Sequence, residues 1–147
     1  MTTASTTPSR IPALSRPVAV LGPTIAAVVA NLIIWGIAKA AGVNFEITDN
    51  GKVDAVPPGG IVFITAVPML VGLTAAVLLA YRWPGILRVA EIVGSVLAVL
   101  TIGLTIAADF DVSSTIALAL MHLTLIPAIV IGLEGLRRKL AEEGRAA

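Results

Sequence analysis

The chain has 147 residues, of which 57% are hydrophobic and 13% charged, with a mean hydropathy of +0.99. That apolar excess has no place on a water-facing surface, so it excludes a soluble domain and points to lipid-facing helices. A net charge of +1 without a concentrated basic patch argues against nucleic acid as a partner. The absence of cysteine removes disulfides, Cys-ligated metals and thiol nucleophiles.

Residues 1–17 are rich in Thr, Ser, Pro and Arg, a composition too polar to offset chain ordering, and are expected to form a disordered cytoplasmic tail. Residues 18–134 hold four apolar runs, at about 18–41, 60–80, 86–108 and 113–133. Each is close to the roughly 20 residues that cross a 30 Å hydrocarbon core. The first run is too long for the 7–15-residue core of a secretory signal and is read as a span. The expected fold is therefore all-α, an integral membrane four-helix bundle, followed by a basic cytoplasmic tail over 135–147.

Eight of the ten basic residues lie in segments on one side: Arg10, Arg16, Arg82, Arg88, Arg137, Arg138, Lys139 and Arg145. The opposite loops carry Glu46, Asp49, Asp54, Asp109 and Asp111. An excess of Lys and Arg marks the cytoplasmic side, so both termini are expected there. In the first outer loop, apolar positions alternate around Asp49-Asn50-Gly51-Lys52, which predicts a short β-hairpin-like loop between helices 1 and 2. A lone hairpin is marginally stable and should lean on the bundle.

Polar groups at membrane depth are the candidate functional residues, because polarity there is costly. Asn31 lies near the middle of the first span, where an amide joins helices or meets a ligand. Glu91 lies about one turn inside the third span, either paired with Arg88 or Arg82 or acting as a protonatable carboxylate. His122, the only histidine, falls near the middle of the fourth span, at nearly the depth of Asn31. The two are expected to hydrogen-bond if their helices touch. Pro68 and Pro127 are candidate kinks. Gly72 and Ala76, Gly94 and Ala98, and the stripe Thr124, Ala128 and Gly132 are candidate close-packing positions. Asp109 and Asp111 are read as caps of the fourth helix before a cation site.

Taken together, Leu21-Gly22-Pro23-Thr24, Asn31, the acidic hairpin, Arg82-Trp83-Pro84-Gly85 and Asp109-Phe110-Asp111 give an order that resembles a family of small four-span actinobacterial membrane proteins, grouped as a domain of unknown function. The likeness spans about Val18 to Leu133 and implies a bacterial plasma membrane and no particular chemistry. The expected role is a non-enzymatic accessory or interaction module without cofactor or metal. Its partners are the lipid bilayer and another membrane protein or a second copy. A small proton-linked transporter or ion pathway working as an oligomer is the alternative.

Overall fold

A computed structural model describes residues 11–49, 52–108 and 110–146. Four helices make the bundle: α1 (Arg16–Ala40), α2 (Pro58–Leu79), α3 (Ile86–Ala107) and α4 (Val112–Ala146). All four are long and apolar enough to cross a membrane, and the protein is a multi-pass membrane protein. Strands β1 (Glu46–Asp49) and β2 (Lys52–Ala55) follow α1 and pair antiparallel, Glu46 opposite Ala55 and Asp49 opposite Lys52. The Asn50-Gly51 turn itself lies outside the described residues.

The helix ends have local causes. Prolines open α1 and α2, at the positions where a missing N–H costs nothing. At the end of α1, Gly42 takes φ +88°, the Gly42 N–H bonds Lys39 O and the Val43 N–H bonds Ala38 O. That paired arrangement, with glycine in the left-handed position, satisfies carbonyls the last turn leaves open. Asp111 caps α4: its carboxylate accepts from the Ser114 N–H at 2.9 Å.

Packing around the bundle is uneven. Helix α4 is tightly seated against both α1 and α3, and α1 against α2, whereas α2 and α3 meet loosely. One apolar cluster sits toward the end carrying the termini, with Ala19, Leu73, Ala80, Leu87, Leu133 and Leu136 among its members. A second, built on Phe45, Ile61, Ala117, Leu118 and Met121, lies under the hairpin.

Both ends of the bundle extend past the apolar runs. Beyond the fourth run α4 continues unbroken to Ala146, with Gly135 and Leu136 buried, so the basic segment is helical. Residues 11–15 pack along it: the Leu14 N–H donates to Gly135 O at 2.9 Å, and Arg138 bonds Ile11 O. Apolar Leu14 joins the core cluster, which the polar composition around it concealed. Residues 1–10 lie outside the described residues.

Candidate functional site in the membrane core

Between the two apolar clusters lies a polar layer. Asn31, 3% exposed, donates from Nδ2 to Thr65 Oγ1 on α2 at 3.0 Å. Its Oδ1 accepts from Thr124 Oγ1 on α4 at 2.7 Å, and the same hydroxyl reaches Met121 O at 2.7 Å. One amide thus joins three helices, with its oxygen and one N–H group both engaged. In the sequence, Thr124 falls in a small-residue packing stripe and Thr65 has no assigned role. The available signal was their match in depth to Asn31, one on each of two other spans.

His122 does not bond Asn31. Its Nδ1 turns back along its own helix to Leu118 O at 2.8 Å, while the Asn31 amide bonds Thr65 and Thr124 instead. Because a carbonyl only accepts, Nδ1 carries a hydrogen, and in the uncharged ring Nε2 is a bare acceptor. Nε2 has no hydrogen-bond partner among the described residues. Both residues line a cavity of about 180 Å³, together with Thr65, Thr105 and Phe110. His122 also lines a second cavity of about 330 Å³ in the loose seam between α2 and α3, floored by Leu125, Ile129 and Leu133 of α4.

That seam absorbs several of the packing candidates. Gly72 makes no close helix contact: a Cβ built on it meets nothing within 4 Å, because it faces the cavity. Gly94 and Ala98 line the same cavity, and a Cβ on Gly94 stands 3.2 Å from Ile129 Cδ1. Ala76 is buried in the core cluster. The closest helix approach is at Gly132, where a Cβ would lie 2.6 Å from Pro23 Cγ and 2.8 Å from Ala19 O. Pro23 has no N–H to offer Ala19 O, so this freed carbonyl faces the glycine of α4. Pro68 and Pro127 remain inside continuous helices, and Pro68 lines the cavity.

Glu91 lies at the far end of α3 from the polar layer. It forms no ion pair with Arg88 or Arg82, which are exposed, and on the neighbouring α4 Arg137 pairs with Glu134 at 2.6 Å. Nearby, the Arg16 guanidinium stacks 4.0 Å from the centre of the Tyr81 ring.

At the opposite end the hairpin is fastened through Phe45. This residue is fully buried and adopts φ +57°, a left-handed conformation that a bulky residue takes only when its surroundings impose it. Its N–H donates to Ser114 Oγ at 3.1 Å, its carbonyl accepts from Val56 N–H at 3.0 Å, and Ile47 forms a bridge with Phe110. Ser114 Oγ in turn donates to Asp111 Oδ2 at 2.7 Å. The Ser113 hydroxyl and the Ser114 N–H and hydroxyl hold the Asp111 carboxyl at about 2, well below the usual carboxylate value. Asp109 lies outside the described residues. Among the described residues no three His, Asp or Glu side chains gather to hold a metal ion.

A family match extends over residues 12–139 and carries the description Family of unknown function (DUF6069). The chain belongs to that family. No curated protein and no solved structure matches it.

Proposed function

We propose that this member of the family is a non-enzymatic accessory module of an actinobacterial plasma membrane, with both termini cytoplasmic. Its working surface is the α2/α3 seam, where it takes a membrane component sideways out of the bilayer. The observation that carries this reading is the unevenness of the bundle. Three seams are closed, one of them with its backbones nearly touching at Gly132, and the fourth opens as an apolar cavity of about 330 Å³ whose rim residues Ile64, Val93 and Leu97 are exposed. Apolar concavities with a few converging polar groups are the default binding sites of proteins. The basic residues at the termini end support the cytoplasmic assignment, and the module serves a homo-oligomer or a larger membrane protein.

The test is a photo-crosslinking residue placed at Leu97, on the seam, or at Ile33, on the exposed face of α1, in living cells. The proposal expects a discrete adduct from position 97 and only diffuse lipid labelling from 33. Equal labelling from both removes the seam as a special surface. The runner-up is a small proton-linked transporter, favoured by the place of His122 between two cavities. Acidification of proteoliposomes driven by this protein would establish that reading over the first.

A further inference from the structure

The chemistry of the seam narrows what it takes. The larger cavity is walled by apolar groups such as Met69, Leu73 and Val93, and its polar members are His122 and Thr101. Thr101 already donates to Leu97 O and Ala98 O of its own helix at 3.1 and 2.8 Å. His122 presents Nε2 as a lone-pair acceptor, because Nδ1 is turned to Leu118 O. Water suits this cavity poorly, since a buried water needs two to four polar partners. An acceptor left unpaired in apolar surroundings is unfavourable, and a donor carried on an apolar body relieves it. Size sets the body: an apolar cavity of about 150 Å³ holds benzene, so about twice that volume holds two fused rings.

We propose that the α2/α3 cavity binds a lipid-soluble hydroxyl compound with an apolar body of two-ring bulk, its O–H donating to His122 Nε2. The proposal rests on the seam being the working surface. The hydroxyl sits where the two cavities meet at His122, and the body fills the space beside Gly72, where a Cβ would meet nothing within 4 Å. Entry is lateral, past the exposed rim at Ile64 and Leu97.

The experiment uses the full chain in lipid nanodiscs with 15N-labelled histidine, whose ring signals are unambiguous because His122 is the only one. The probes are 2-naphthol and its methyl ether, 2-methoxynaphthalene, which has the same body and no donor. Naphthol is expected to shift the Nε2 resonance saturably while Nδ1 stays nearly fixed, and to bind about fivefold more tightly than the ether, the usual worth of one such hydrogen bond. Gly72→Leu, which fills the cavity from a position where a Cβ meets nothing within 4 Å, should abolish binding of both. Equal affinity for the two probes, or naphthol binding with Nε2 unmoved, overturns the hydroxyl proposal and leaves the seam as an apolar site. Failure of both probes to bind also overturns it. The crosslinks from position 97 then decide separately whether the seam takes some other component.

Discussion

Replacing Gly132 by Ala tests the tightest point of the bundle. The added Cβ would stand 2.6 Å from Pro23 Cγ, 2.8 Å from Ala19 O and 3.4 Å from Pro23 Cβ, against comfortable carbon contacts of about 3.5–4.0 Å. Neither neighbour yields cheaply: one is backbone and the other a ring fixed to it. α1 and α4 must therefore separate by about 1 Å. Overpacking of this kind costs about 1–3 kcal/mol, offset in part by the roughly 1 kcal/mol better helix propensity of alanine. A net loss of about 1 kcal/mol is expected. Two controls share the chemistry without the clash. Gly72→Ala meets nothing within 4 Å and should be neutral or stabilising, and Gly94→Ala presses on the Ile129 side chain alone, 3.2 Å from Cδ1 and 3.4 Å from Cγ2, and should cost less than Gly132→Ala. Reversible SDS unfolding in mixed micelles, followed by near-UV circular dichroism, ranks the three. The reasoning is refuted if Gly132→Ala is as stable as the wild type, or if Gly72→Ala is the most damaging.

Asn31→Leu removes both interhelical bonds of the polar layer and should destabilise the bundle by about 1 kcal/mol, since such bonds average below that each in membranes; a double-mutant cycle with Thr65→Val should show a coupling of about 0.5 kcal/mol. Phe45→Ala empties the site under the hairpin and should release β1 and β2, read as proteolytic cleavage of the outer loop in right-side-out vesicles while the four helices stay intact. The hairpin fastening should also depend on pH. The Asp111 carboxyl is depressed in the folded protein, so its contribution is present above the unfolded value near 4 and disappears as pH falls through about 2. Protection factors of the Phe45 and Ser114 amides should fall over that window, and Asp111→Ala should abolish the dependence.

How much was legible in the sequence follows from which forces are local. The spans and the hairpin were legible because lipid demands about 20 apolar residues per crossing and because the residues flanking Asn50-Gly51 alternate. The buried face of α1 could be read from the shared side of Thr24, Ala27 and Asn31. Helix pairing was not legible, since small residues recur four apart on three helices, yet of the glycines in those stripes Gly132 meets a backbone, Gly94 a side chain and Gly72 open space. The partner of Asn31 depends on which side chains the helix packing brings to its amide, and these are Thr65 and Thr124, while His122 bonds its own helix. Phe45, the best-buried aromatic residue, is one position among others in the alternating loop sequence, because the Ser114 hydroxyl that its left-handed backbone bonds comes from 69 residues away.

The central claim is that one seam of this bundle is open to the bilayer while the others are closed. Solid-state NMR on the wild-type chain in bilayers, transferring magnetisation from lipid acyl-chain protons to glycine Cα and histidine ring sites, tests it without any substitution. The account predicts strong transfer to Gly72 and to the His122 ring, and none to Gly132 or the Asn31 side chain. Equal transfer to Gly72 and Gly132, or a His122 ring as isolated from lipid as Asn31, would contradict it.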